Sequence, residues 1–140
     1  MITAIDTNVI VALLREQDAL NMAANSAMEK AASRGKLVIC GPVFAELSAF
    51  PSQTEAFLDT FLADAMIGVD WDVERDVWRT AGRAFRKYSE KRQRQKAGTP
   101  RRILADFVIG AHAVENNYAL LTFDSRIYKT SFPLLEMIEP

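Results

Sequence analysis

Apolar residues run along this chain in two rhythms: short unbroken stretches, and longer ones spaced for one face of a helix. Residues 2–5 form a short apolar run that stops at Asp6, and residues 37–40 form another that stops at Gly41-Pro42. Unbroken runs of this kind suit strands buried on both faces of a parallel sheet. Residues 66–69, 120–123 and 135–138 supply three more short strands. Helical spacing recurs at 9–14, 20–32, 42–50, 54–63 and 103–115. Gly35 punctuates the second of these, Pro42 suits the first turn of the third, and Pro51-Ser52 breaks the chain before the fourth. A longer helix is expected from a cap at Asp70 or Asp72, with Glu74 and Asp76 in its first turn, to a loop at Gly98-Thr99-Pro100. Strands alternating with helices predict an α/β fold, a central parallel β-sheet flanked by helices with right-handed crossovers. At 140 residues, a single domain spanning 1–140 is expected, large enough to bury a core without disulfides or a structural metal.

Composition narrows the class. Hydrophobic residues make up 49% and charged residues 25%, which suits a soluble globular chain. Cys40 is the only cysteine, so no internal disulfide forms, and its apolar run marks it as a small core residue. No stretch is long and apolar enough for a membrane helix, and the N-terminus does not read as a secretory leader. The cytoplasm is the expected location. The net charge of −1 conceals an asymmetry: between Arg75 and Arg102 eleven Lys or Arg residues face only Asp76 and Glu90. That window carries +9, and the rest of the chain −10.

Four acids stand where a solvated surface would not put them. Asp6 and Asp124 each follow an apolar strand, and open α/β sheets bind ligands outside the carboxyl ends of their strands. Glu46 lies early in the helix after the second strand, at the same edge. Asp106 sits within an otherwise apolar helix and shares its side with Gly110 and Ala113, which predicts room beside the carboxylate. Singly, Asp6 reads as a helix cap, Asp124 as a turn residue and Glu46 as a favourable charge near a helix start. Only Asp106 is awkward as a structural residue, because unpaired acids are seldom buried. Clustered carboxylates are hard ligands that raise one another's pKa until a cation such as Mg²⁺ or Mn²⁺ relieves the repulsion. Such a cation activates water and offsets charge on a phosphate.

These residues also carry a resemblance. Asp6-Thr7-Asn8-Val9 after a short strand resembles the opening of PIN domains, and Ala45-Glu46-Leu47 resembles their second acidic motif. The run from Asp106 through Phe107, Gly110 and Ala113 is similar to the third acidic motif of VapC-type toxins. Leu121-Thr122-Phe123-Asp124, with Tyr128 and Phe132-Pro133, resembles the fourth motif and the usual C-terminal end. The resemblance runs in order over nearly the whole chain. It implies a three-layer PIN-like domain with Asp6, Glu46, Asp106 and Asp124 around Mg²⁺ or Mn²⁺. It also implies cleavage of RNA by metal-activated water, with Thr7 and Asn8 supporting the site. The implied partners are a VapB-type antitoxin, whose peptide blocks the acidic pocket, and a second copy in a homodimer. Phe57, Phe61 and Trp78 are the apolar candidates for such contacts. Gly41 stands where such toxins often carry Ser or Thr, and Ala105 where Pro often precedes the Asp; neither departure removes an acid.

The basic window lies outside the resemblance. Arg86, Lys87, Arg94, Arg101 and Arg102 are candidates for holding RNA phosphates, against the plainer reading of a solvated helix. His112, the only histidine, is about 120° around the helix from Asp106 and reads as structural rather than as a general base. Trp71, Trp78 and Phe85 recur at sevens and read as core or dimer packing. Two rival functions fit such a sheet less well. A phosphatase of the haloacid-dehalogenase kind needs a second Asp where Asn8 stands, and a phospho-receiver needs a Lys after a late strand, where none occurs. A non-catalytic RNA- or protein-binding module on the same fold is the alternative, and loss of one acid would have pointed to it.

Overall fold

The computed structural model describes residues 1–50, 52–96 and 104–140. Among these, five strands form one sheet in the order β3-β2-β1-β4-β5, and every pairing is parallel. They are β1 (Ile2–Ile5), β2 (Lys36–Cys40), β3 (Ile67–Asp70), β4 (Ala119–Leu121) and β5 (Met137–Ile138). Seven described helices flank the sheet: α1 (Thr7–Leu14), α2 (Asn21–Arg34), α3 (Gly41–Ser48), α4 (Glu55–Asp64), α5 (Arg75–Arg94), α6 (Leu104–Glu115) and α7 (Ser125–Ser131). Thr3, Ala4 and Ile5 of β1, Leu37 to Cys40 of β2 and all of β4 are buried, so helices cover both faces of the central strands.

Local chemistry explains most boundaries. The Asp6 carboxylate accepts a hydrogen bond from the Thr7 amide and caps α1, and Thr54 caps α4 by accepting from the Phe57 amide at 3.0 Å. Pro42 lies in the first turn of α3, where its missing amide proton costs nothing. Asn117, with φ of 55°, makes the left-handed turn that takes α6 into β4.

Several expectations need correction. The cap position of α5 is Glu74, not Asp70 or Asp72; Asp70 ends β3 instead, and its side chain holds His112. The third strand starts one residue late because Met66 adopts φ of 54°. The fourth strand ends at Leu121 rather than at 123, and β5 is only two residues long, although Leu135 is buried. Helix α7 is not among the expected elements, its seven residues having too little apolar spacing to reveal it. The loop Gly98-Thr99-Pro100 and the break at Pro51 lie outside the described residues. Of the aromatic series, Phe85 stacks edge-on against Phe107 at 5.0 Å. Trp78 is half exposed, and Trp71 precedes α5 and packs against Phe44 at 4.8 Å.

Candidate active site

The strand order reverses between β1 and β4; Asp6 directly follows β1, and Asp124 stands three residues after β4. Such a switch point leaves a crevice at the carboxyl edge of the sheet. Here the crevice is a cavity of about 420 Å³ lined by Asp6, Glu46, Asp106 and Asp124 together with Thr7 and Asn8. All four acids singled out from the sequence are thus brought to one place by the ends of β1 and β4, the first turn of α6 and the last turn of α3, where Glu46 lies later in its helix than expected.

Asp6 is held by a set of short bonds. It is 5% exposed; its Oδ1 accepts from the Thr7 amide at 2.8 Å. Its Oδ2 accepts from the Thr122 hydroxyl at 2.7 Å and from Asn8 Nδ2 at 3.3 Å. Asn8 Oδ1 in turn accepts from the Phe123 amide at 3.2 Å, and the Asp124 amide donates to Thr122 Oγ1 at 2.9 Å. These bonds tie the end of β1 to the end of β4. The Thr7 hydroxyl donates to Glu46 Oε1 at 2.7 Å, which fixes the second acid to the same frame.

Electrostatics follow from this crowding. Burial pushes the Asp6 carboxyl above the usual range, the Asp106 charge adds to the rise, and bonds from Thr122 and Thr7 oppose it. Tyr128 lines the cavity from α7 and is buried. Its phenol is driven far up, first by burial and then by the charges of Asp6, Asp106 and Glu46. The hydroxyl acts on Asp6 at close range, yet no hydrogen bond of ordinary geometry satisfies it.

Tyr128 and Asp18, which line the cavity, and Thr122, which holds Asp6 from behind it, were missed in the sequence. Thr122 and Tyr128 stand within quoted motifs, but nothing in their spacing shows that they turn toward Asp6. Asp18 also lines the cavity, and its Oδ1 accepts from the Leu20 amide at 2.8 Å. Asp106 has the room expected beside it, since it lines the cavity, but Gly110 does not supply it. A Cβ on Gly110 would lie 2.3 Å from the Phe132 ring, so the glycine admits that ring and leaves no space for a ligand.

Other candidates lie elsewhere. His112 is buried, with Nε2 2.9 Å from Asp70 Oδ2, and does not line the acidic cavity, in keeping with a structural role. Cys40 is buried and its thiol is pushed up to about 11, first by burial, so it is not a nucleophile. Arg86 does not reach the cavity; it pairs with Glu90 at 3.0 Å one turn along α5. Lys87 and Arg94 line a separate groove, and Arg101 and Arg102 lie outside the described residues.

Among the described residues no three acidic, His or Cys side chains form a ready-made metal cage. The donor set nevertheless fits a hard divalent cation. Mg²⁺ keeps several waters and binds through one or two carboxylates, so an open cavity walled by carboxylates is the form of site it uses.

The fold is shared with known proteins. A family model for the PIN domain matches residues 3–133. No curated protein matches by sequence. Among solved structures, VapBC2 from Rickettsia felis, bound to a DNA fragment from its promoter, is similar at TM-score 0.72 and 22% identity, covering 100% of this chain and 99% of that one. VapBC-1 from nontypeable Haemophilus influenzae is similar at 0.69 and 22%, covering 99% and 98%. VapC20 from Mycobacterium tuberculosis, a toxin that cleaves the sarcin-ricin loop, is similar at 0.65 and 16%, covering 91% and 94%. At these identities the likeness is one of fold.

Proposed function

The chain belongs to the PIN domain family, and from that premise we propose that it is an endoribonuclease dependent on Mg²⁺ or Mn²⁺, acting as the toxin of a toxin–antitoxin pair. The observation that carries the reading is the convergence of Asp6, Glu46, Asp106 and Asp124 on one cavity at the switch point of the sheet. Asp6, Asp106 and Asp124, with Glu46, would hold the cation. Bound there, it would supply Lewis-acid activation of water and offset charge on the phosphate. The chain's own residues do the positioning. Thr122 and Asn8 fix the Asp6 carboxylate, and Thr7 aims Glu46 into the cavity. Val11, Leu20 and Phe123 add apolar wall to the cavity.

Similar folds solved as VapBC and FitAB assemblies support an antitoxin partner. In this reading an antitoxin segment occupies the acidic cavity and excludes RNA. Half-exposed Phe57 and Trp78 are candidates for contact with a second copy, while Phe61 is partly buried and packs on the core. Action on RNA in the cytoplasm follows from the same reading, and no described helix is long and apolar enough to cross a membrane.

The test is incubation of purified protein with structured and single-stranded RNA, with Mg²⁺, with Mn²⁺ and with excess EDTA. Cleavage in the first two and none in the third is expected. Metal-independent RNA binding without cleavage would instead favour a non-catalytic binding module on the same fold.

A further inference from the structure

The cations of the basic segment differ in what they meet. Arg83 donates to the Thr80 hydroxyl at 3.0 Å, and Arg86 pairs with Glu90. Lys87, Lys91, Arg92 and Arg94 of α5 instead meet Arg126 of α7 around a groove of about 830 Å³. The acid on its border, Glu90, is already engaged by Arg86. Helix α7 is the wall between this groove and the acidic cavity: Asp124 and Tyr128 line the cavity, while Arg126, Ile127 and Thr130 line the groove. Tyr88 lines the groove beneath the Arg92 guanidinium and packs on Phe107, the residue after Asp106.

We propose that the α5–α7 groove is a second nucleic-acid contact, which binds the backbone of the RNA strand continuing out of the acidic cavity. The inference rests on the nuclease reading above. Carboxylates around a scissile phosphate repel the rest of a polyanion, so a cleaved strand needs cations beside the cavity. Cations in the last turn of α5 are also favoured by its dipole, which accounts for Lys91, Arg92 and Arg94 alone. It does not account for Arg126, which sits in the first turn of α7, where the dipole disfavours a cation. A second copy of the chain is a poor occupant, because it would set the same cations against one another.

The experiment uses a Lys91→Gln/Arg126→Gln double variant, both side chains being exposed. A Lys87→Gln/Arg94→Gln pair serves as a second, independent probe of the same groove. Affinity is measured without divalent ions for a dinucleotide and for two unrelated single strands of about 16 nucleotides, the upper end of common single-strand footprints. Each pair is expected to weaken long-strand binding roughly tenfold for both sequences, and to make the salt slope shallower by about 0.7 per lost contact. Dinucleotide affinity should hold, and with metal present KM for long RNA should rise while kcat holds. Unchanged long-strand affinity and slope in both pairs would overturn the proposal. So would an equal loss for the dinucleotide, or a loss confined to an acidic peptide. Failure of the nuclease reading shows separately, as wild-type protein that cleaves no RNA with either metal.

Discussion

Asp6 is buried and takes bonds from three donors, whereas Lys91, in the basic groove, stands in solvent on a flexible stem. The acidic cavity and the basic groove share α7 as a wall but are built on different requirements. In the cavity, shape matters: each carboxylate is placed by strand ends and by hydroxyl or amide donors, and errors of an ångström are costly. In the groove, charge suffices: cations act on a polyanion through a field, and no single geometry is needed. The difference teaches where substitutions should be severe and where they should be graded.

The sharpest test of that contrast is within the cavity. Asp106→Asn or Asp124→Asn should lower cleavage by about a thousandfold, the scale of losing a preorganised charge-stabilising group. The fold should survive, with apo stability level or higher by under about 1 kcal/mol, because a like charge is removed. Circular dichroism, urea unfolding and cleavage rates check both halves. Loss of function through unfolding would break the comparison, since the acids would then be structural.

Next in size is the frame behind Asp6. Thr122→Val removes the 2.7 Å bond to Asp6 and the acceptor for the Asp124 amide. A drop of about 10–100-fold in activity or metal affinity is expected, as for other groups that orient ligands, with Thr122→Ser restoring most of it. Equal activity in the valine variant would show that the cavity, like the groove, tolerates loose placement.

Gly110→Ala tests rigidity behind the site. Its Cβ would lie 2.3 Å from the Phe132 ring, so the ring must shift, and a loss of about 1–3 kcal/mol is expected by thermal unfolding. Unaltered stability would mean the wall at Phe132 yields easily.

The smallest effect concerns titration. Removing the ill-satisfied hydroxyl with Tyr128→Phe should raise apo stability by about 1 kcal/mol. The folded-state pKa of Asp6 is raised above 3.8, so the stability it contributes is present in acid and lost as pH rises through its folded-state value. Asp6→Asn should therefore gain on wild type across that rise and hold a constant difference above it, in urea unfolding without metal.

Much of this was legible in the sequence because the central strands are buried on both faces and read as unbroken apolar runs. The acids that end them were therefore visible at the sheet edge. Asp106 stood out by polarity alone within α6. Less was legible where tertiary contacts decide. Gly110 suggested space, yet Phe132, far along the chain, fills it. Thr122 has the polarity of a turn residue, and only folding turns its hydroxyl onto Asp6. Helix α7 was too short for periodicity to show, so the division between cavity and groove could not be seen. The basic window was obvious as charge, but Arg86 and Lys87 are neighbours in sequence and differ in what they meet, one paired with Glu90 and one in the groove.

The central claim is that the acidic cavity cuts RNA with a divalent cation. It is tested most directly by titrating Mn²⁺ into metal-free wild type and Asp106→Asn, and following the ends released from a labelled RNA. The account predicts cleavage that rises with Mn²⁺ in the wild type, is abolished by excess EDTA and is all but absent in the variant. Full cleavage in EDTA, or wild-type turnover by Asp106→Asn, would contradict it.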